Sequence, residues 1–343
     1  MDMKKNYNGL DVLKFIMALL VAQRHIIQIF FPESSRWRIV IGSWLSNLPV
    51  PVFFTIAGFF LFRKLPQDGS GTGAVRRYCM RILRLYITWC AIYLPIDFYN
   101  WYNGTRDIKA GLLTYVHRFL FDSTIPQLWY LPALFIACLL VWLLYSHGWR
   151  IWQILTLGAV LYIVGCIGDN WYFNQQLPMR LQQYLAVYIR WFLTMRNGVF
   201  YGTFYVALGL MFARTKWRPP LWVSAAGAVC FIALMYKEVL RCQNINMIFS
   251  AAPAAYFLFS AAEALPLPDS RLYPRLRGIS EWIYLAHYYF FHFLVWLRPW
   301  NPVPFTSKSI TVMILVPLLV FSWCMVRLSE RDTIGGRFLR KLI

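Results

Sequence analysis

Long apolar runs recur along this chain, and they are the feature that most limits its fold. A helix needs about 20 mostly apolar residues to cross the roughly 30 Å hydrocarbon core of a bilayer. Ten runs have about this length, which soluble domains do not show. The sequence therefore predicts an all-α, polytopic integral membrane protein with about ten transmembrane helices in a single membrane domain, 1–343. The candidate spans are 10–31, 46–62, 82–97, 128–145, 151–168, 198–213, 221–236, 247–264, 279–297 and 310–327.

The basic residues are explained by membrane orientation. Only 14% of the 343 residues are charged, yet the formal net charge is +20. The chain has no finger, basic helix or sheet motif typical of nucleic-acid binding, so we expect no nucleic acid as partner. If the N-terminus is cytoplasmic, 20 of the 34 Lys and Arg residues, or 21 with Lys14, lie on the inner side. The positive-inside rule therefore favours cytoplasmic positions for both termini.

The seven cysteines are scattered singly, with no Cys-x-x-Cys pair and no histidine at metal-ligand spacing. This distribution is typical of packing residues, so we expect neither a disulfide framework nor a metal site. Small residues at four-residue spacing, such as Gly198 with Gly202, are typical of close helix packing.

The first candidate span carries polar residues that are costly inside a bilayer. It reads "LDVLKFIMALLVAQRHI", residues 10–26. At 100° per residue, Lys14 and His25 are about 20° apart around a helix, with about 16.5 Å of rise between them. Asp11 lies about 40° from His25. The three side chains form one polar stripe, which predicts a helix face turned towards a protein interior.

Anchoring at the membrane interfaces is the alternative explanation for these residues. Lys14 can extend to the inner headgroups and His25 to the outer ones. This alternative suits Lys14 well, but it suits His25 less, because the apolar run continues to Phe31. Arg24 lies on a different face, about 100° away, and we assign it to the outer interface.

The ninth candidate span repeats the same spacing. Glu281 and His292 are also eleven residues apart, so they share one helix face. Both spans run outward in the predicted topology. If the two helices adjoin, Lys14 faces Glu281 at the inner level, and His25 faces the level of His292.

Five segments together resemble the acyltransferase 3 family of membrane proteins. In "DVLKFIMALLVAQRH", Lys14 stands where the family's first helix has arginine, ten residues before a histidine that matches His25. "VPVFFTIAGFFLFRK" resembles the second helix, and "RRYCMRILRLY" holds Arg81 and Arg84 at the family's RxxR spacing. "LWYLPALF" resembles the start of the fourth helix, and "ISEWIYLAH" a late motif that ends at His287. The resemblance spans nearly the full chain and includes the stand-alone envelope O-acetyltransferases and the membrane domain of vancomycin-resistance serine racemases.

This resemblance implies a multi-pass O-acyltransferase of the bacterial plasma membrane, with membrane lipids around it. The donor would be cytoplasmic acyl-CoA, normally acetyl-CoA, and the acceptor a hydroxyl of an envelope carbohydrate or lipid-linked glycan. Arg81 and Arg84, with Arg77 nearby, are the candidates for CoA binding, because guanidinium groups bind phosphate oxygens bidentately. Positive-inside anchoring explains these arginines as well.

His25, Lys14 and Glu281 are the catalytic candidates. The imidazole can act as a general base on the acceptor hydroxyl or as a nucleophile that forms an acyl-imidazole. We favour the base, and the sequence leaves both open. The candidates for substrate binding are Asp11, Trp129, Tyr130, Asn197, His287 and His292.

Simpler roles are open for several of these candidates. The aromatic pair Trp129 and Tyr130 can belong to an interfacial belt. Asn197 can cap a helix, and His287 can be a hydrogen-bonded core residue.

A transporter or flippase of a small polar solute or amino acid is the competing function, since intramembrane charges suit it equally. Such folds often have internal repeats and matched pairs of Gly/Pro-broken spans, and neither is visible in this sequence. We therefore expect an enzyme.

Overall fold

A computed structural model describes residues 6–32, 34–104, 107–242, 247–297 and 307–343 of the chain. Every regular element in these ranges is helical. The α-helices are α1 Asn8–Phe30, α2 Pro49–Arg63, α3 Thr72–Gly104, α4 Ile108–Phe121, α5 Tyr130–Ser146, α6 Ile151–Asp169, α7 Trp171–Asn174, α8 Met179–Phe192, α9 Thr203–Arg214, α10 Leu221–Cys242, α11 Ala251–Ala264, α12 Leu272–Leu297, α13 Ser307–Ser329 and α14 Ile334–Leu339. Two π-helical segments, Arg38–Trp44 and Gly198–Gly202, lie between them.

Within the described ranges, six helical segments are long and apolar enough to cross a membrane. They are Asn8–Phe30, Arg38–Arg63, Thr72–Tyr102, Ile151–Asp169, Leu221–Cys242 and Ser309–Ser329. The shorter apolar helices Tyr130–Ser146 and Gly198–Arg214 coincide with two more predicted spans. The all-α membrane fold is confirmed, while the count of ten spans and the cytoplasmic termini stay predictions.

Two helices begin well before the predicted spans. α3 begins at Thr72 rather than near residue 82, and α12 begins at Leu272 rather than near residue 279. The additional turns carry arginines, which end an apolar run but not a helix, because arginine has a high helix propensity. The helices therefore extend beyond the predicted spans, and the bounds of the spans themselves stay predictions.

The chain folds into two compact units that interleave along the sequence. The first unit comprises Met1–Val52, Arg218–Tyr236 and Pro253–Ile343. The second comprises Phe53–Trp217 and Lys237–Ala252. The predicted single membrane domain over 1–343 stays a prediction.

In the first unit, α1 packs along α12, and α13 packs against both. A core cluster of buried side chains lies where the three helices meet. It consists of Ile26, Phe291, Leu294, Ile310 and Ile314. Because Ile26 follows His25 in the chain, this cluster fixes the turn of α1 that carries the histidine.

In the second unit, glycines set the distances between helices. A Cβ added to Gly209 would overlap the carbonyl oxygen of Thr55 in α2. A Cβ on Gly198 would lie 2.5 Å from the carbonyl oxygen of Ala133 in α5, and one on Gly202 would meet α5 one turn later. The close packing predicted at Gly198 and Gly202 is therefore confirmed.

Candidate active site

α1 and α12 lie side by side and run in the same direction. Near the start of both helices, Asp11 forms a salt bridge with Arg277. Fourteen residues later in each helix, the ring centroids of His25 and Phe291 lie 6.1 Å apart. Contacts at equal spacing along two helices require a parallel arrangement. The condition set for the Lys14–Glu281 pairing, that these two helices adjoin, is therefore met.

Asp11 anchors α1 to α12. Its side chain is 2% exposed and accepts two hydrogen bonds from Arg277, from Nε at 2.8 Å and from Nη2 at 2.7 Å. This bidentate contact uses both carboxylate oxygens. The pair gives Asp11 a structural role, and its predicted role in substrate binding remains untested. Arg277 was not among the predicted site residues. It lies one turn before Glu281 in α12, just as Asp11 lies one turn before Lys14 in α1, and its charge is opposite to that of Asp11.

His25 is half-buried against an aromatic part of α12. Its ring centroid lies 5.3 Å from that of His287 and 5.8 Å from that of Tyr288. The planes of the two imidazoles differ by 28°. These rings cover part of the His25 side chain.

The register places His292 at the level of His25, next to Phe291 in the chain. The ring of His292 contacts Tyr288 and Trp296, with centroid distances of 5.0 and 6.3 Å. Five residues correspond to about 500° of helix rotation, so His287 and His292 point about 140° apart. Only one of them can face α1, and it is His287.

The same register brings Lys14 and Glu281 to one level. Lys14 follows Asp11 by three residues, and Glu281 follows Arg277 by four. In parallel helices, the two positions then differ by about one residue, or about 1.5 Å of rise. Both side chains are half-buried. This register supports the predicted Lys14–Glu281 pairing, which stays a prediction.

The start of α1 is fastened to the segment between α11 and α12. The Asn8 amide donates a hydrogen bond to Asp269 Oδ1 at 3.0 Å. Hydrogen bonds from Asn6 and Asn8 lower the pKa of Asp269. A Cβ on Gly9 would overlap the carbonyl oxygen of Ala262, so only glycine permits this approach. These contacts fix α1 along its own axis.

In the second unit, α3 carries the arginines predicted to bind phosphate. Arg77, Arg81 and Arg84 are all exposed. Their i, i+4, i+7 spacing places them on one stripe about 10 Å long. Cys79 and Ile82, on the other side of α3, are buried. The stripe is thus accessible to an anionic ligand, and its predicted role remains untested.

Trp129 and Tyr130 lie at the start of α5 in an aromatic cluster. Trp129 is 7% exposed, and the guanidinium carbon of Arg196 lies 4.3 Å from its ring centroid. Tyr130 contacts the ring of Phe54 edge to face at 4.7 Å. The burial of Trp129 inside the unit, together with the cation–π contact, argues against an interfacial belt for this residue.

Asn197 caps the π-helical segment that precedes α9. Its Oδ1 accepts hydrogen bonds from the backbone N–H groups of Val199 and Phe200, at 3.0 and 3.1 Å. Its Nδ2 donates to the Tyr188 hydroxyl at 2.8 Å. The capping role is confirmed, and it occupies both polar atoms of the side chain.

The turn before Asn197 is strained and firmly held. Leu193 has a φ of +63°, a conformation that residues other than glycine rarely adopt. Asp169 accepts hydrogen bonds from the Thr194 hydroxyl at 3.0 Å and the Met195 N–H at 3.2 Å. These contacts offset the strain and fix the backbone that carries Arg196. No sequence pattern indicated this turn.

Fold and site together define the class of protein. In the part of the chain that the structure describes, no three His, Cys, Asp or Glu side chains converge as metal ligands. A histidine pair and an ion pair lie between α12 and α1, and α1 is long and apolar enough to cross a membrane. The chain is a multi-pass helical membrane protein with a polar site between two parallel helices.

A family model described as an acyltransferase domain matches residues 7–326. This match covers nearly all of the chain, which belongs to the acyltransferase 3 family, as its motifs predict. The family model thus places the chain in a family of membrane acyltransferases.

Curated relatives are named as racemases. The chain is 31% identical over 221 residues to an amino-acid racemase of Enterococcus faecalis. The aligned region covers 62% of this chain and 30% of the relative. It is 27% identical over 293 residues to a serine/alanine racemase of Enterococcus gallinarum, and this alignment covers 82% of the chain and 40% of the relative. The chain thus spans less than half the length of these relatives, and the predicted similarity to racemase proteins is confirmed. No solved structure matches the chain significantly.

Proposed function

We propose that this protein is an O-acetyltransferase of the bacterial plasma membrane. It transfers an acetyl group from cytoplasmic acetyl-CoA to a hydroxyl group of an envelope carbohydrate or lipid-linked glycan. Family membership supports acyl transfer in general. The observation that carries the specific proposal is the half-buried imidazole of His25, set against a buried histidine on a parallel helix.

His25 acts as the general base in this proposal. Its imidazole takes the proton of the acceptor hydroxyl while the hydroxyl oxygen attacks the thioester carbonyl carbon. The new C–O bond forms, the C–S bond breaks, and the CoA thiolate takes the proton back from the imidazolium. The aromatic rings around His25 limit hydrolysis of the thioester by water.

Lys14 and Glu281 support the base as a charged pair. The paired helices α1 and α12 carry two charges of each sign at this end, from Asp11 and Lys14 in α1 and from Arg277 and Glu281 in α12. We expect Lys14→Glu and Glu281→Lys each to lower acetyl transfer. The double charge swap should restore it, and a failure to rescue would count against the pairing.

The arginine stripe on α3 holds the phosphate groups of the donor. Arg77, Arg81 and Arg84 are exposed, and their spacing matches a ligand with several phosphate charges along one edge. We assign Trp129 and Tyr130 to the lining of the acyl-group pocket. His292 remains a proposed substrate contact.

Reconstitution into proteoliposomes tests the function. Labelled acetyl-CoA is supplied to one side, and the label is followed into added envelope glycans together with the release of free CoA. We expect transfer by the natural protein and none by His25→Ala. His147→Ala is the matched control, because His147 is an exposed histidine at the end of α5, and it should retain activity.

The same preparation separates an enzyme from a transporter. Solute uptake that needs no acyl-CoA and is retained by His25→Ala would overturn the proposal in favour of transport. Label transfer that requires both acetyl-CoA and His25 would support it.

A further inference from the structure

One nitrogen of His287 is committed to its own helix. The side chain is fully buried, and Nδ1 lies 2.9 Å from the carbonyl oxygen of Ile283. A carbonyl oxygen only accepts hydrogen bonds, so Nδ1 carries a proton and donates it. Burial disfavours the charged imidazolium, which leaves Nε2 as an acceptor. The backbone of α12 thus selects the tautomer of His287.

The other nitrogen lacks a partner. Among the described residues, none forms a hydrogen bond with Nε2 of His287. Buried polar atoms are usually paired, because leaving one unpaired reduces the stability of the fold. This acceptor is therefore available to a donor that reaches it.

His25 is placed to be that donor. The ring centroids of His25 and His287 are 5.3 Å apart. Two imidazoles that share an N–H···N bond of about 2.9 Å have centroids about 5 Å apart. The separation of the two rings is therefore close to the one that a hydrogen bond between them requires.

Two aromatic rings limit how the histidines can move. The Phe291 centroid lies 5.2 Å from that of His287, and the Tyr288 centroid lies 6.3 Å from it. The same two rings contact His25. The imidazoles are thus held near each other by packing, and only their relative rotation is left to adjust.

We propose that His287 is a positioning residue, whose Nε2 accepts an N–H from His25 and so determines which nitrogen of His25 acts as the base. The inference rests on the proposed function, because it assumes that His25 is the base. A neutral imidazole has one N–H and one lone pair. When the N–H points at His287, the lone pair points away from it, towards an acceptor hydroxyl. A base oriented by a third group is a common catalytic arrangement.

Nitrogen NMR of the ground state tests this orientation without any substrate. The chain has five histidines, so ¹⁵N-histidine labelling gives few signals, which single variants can assign. We expect His25 to hold one tautomer, with a through-hydrogen-bond coupling between its nitrogen and Nε2 of His287. A mixture of His25 tautomers with no coupling in the natural protein would overturn the proposal, and this result requires no variant to fold.

Two substitutions extend the test to catalysis. His287→Gln keeps an acceptor oxygen near the position of Nε2, whereas His287→Phe keeps only the ring shape. We expect His287→Phe to mix the His25 tautomers and to lower kcat by about 10- to 100-fold at unchanged KM for acetyl-CoA, while His287→Gln retains most activity. His147→Phe is the matched control for loss of a histidine.

The outcomes separate this inference from the proposed function. A single His25 tautomer that depends on His287, in a protein without acetyl transfer, supports the orientation and overturns the function. Acetyl transfer that needs His25 but is unchanged in His287→Phe overturns the positioning role and leaves the function intact.

Discussion

The salt bridge between Asp11 and Arg277 predicts an asymmetric response to mutation. Asp11 is 2% exposed and Arg277 is 46% exposed. Arg277→Gln leaves a buried carboxylate without its partner, whereas Asp11→Asn leaves an arginine that can reach water or headgroups. Both changes break the same bidentate contact, so their difference measures the cost of the stranded charge.

The expected magnitudes follow from this burial. Removing one partner of a buried ion pair costs about 3–5 kcal/mol, and the exposure of Arg277 favours the lower end, about 3 kcal/mol, for Arg277→Gln. Asp11→Asn keeps one acceptor oxygen, so we expect a loss of about 1 kcal/mol. The double variant buries no charge and should lose about 1–2 kcal/mol, less than the sum of the single losses.

Equilibrium unfolding of the purified protein in mixed micelles, followed by tryptophan fluorescence, measures these free energies. Arg275→Gln is the control on the same helix, because neither side chain of its salt bridge with Glu330 is buried, with exposed fractions of 28% and 40%, and it should have a smaller effect. An Asp11→Asn variant that is as destabilised as Arg277→Gln would refute this reasoning. Additive losses in the double variant would refute it too.

Three further changes have defined outcomes. Gly9→Ala should lower the free energy of unfolding by about 1–3 kcal/mol, because the added Cβ meets a carbonyl oxygen of α11. Gly335→Ala should be tolerated, and unfolding in micelles compares the two variants. Leu193 has a φ of +63°, so the Leu193→Gly variant should be more stable than Leu193→Ala by about 1 kcal/mol. The reverse order of stability would contradict backbone strain at this position. Arg81→Gln should raise the KM for acetyl-CoA several-fold in initial-rate kinetics. Arg76 is next to Arg77 in the chain but lies about 100° off the arginine stripe, so Arg76→Gln should raise this KM less. Equal effects of the two variants would count against a phosphate site.

The sequence was sufficient for features that depend on one helix at a time. Apolar runs of membrane-spanning length predict the helices, and a rotation of 100° per residue predicts that Asp11, Lys14 and His25 share a face. The equal spacing of Lys14 with His25 and of Glu281 with His292 suits two neighbouring parallel helices, but it left open whether these helices adjoin.

The sequence was not sufficient for the register and rotation of one helix against another. Spacing within α12 cannot show whether His287 or His292 faces α1, because that depends on the Asp11–Arg277 contact and on packing around Phe291. Apolar runs also do not show where α3 begins, because charged turns end an apolar run without ending a helix.

The strained backbone at Leu193 escaped prediction for a related reason. A leucine gives no sign of positive φ, since the conformation is imposed by hydrogen bonds from Thr194 and Met195 to Asp169. Contacts between residues far apart in the sequence thus determine the local geometry there.

The acceptor-dependent kcat for CoA release tests the central claim most directly. Purified protein in liposomes is given acetyl-CoA and envelope glycan, and free CoA and acetylated glycan are measured together for the natural protein and His25→Gln. The account predicts equal amounts of both products and a decrease of at least about 100-fold in kcat for His25→Gln. Turnover by His25→Gln at the rate of the natural protein would contradict it.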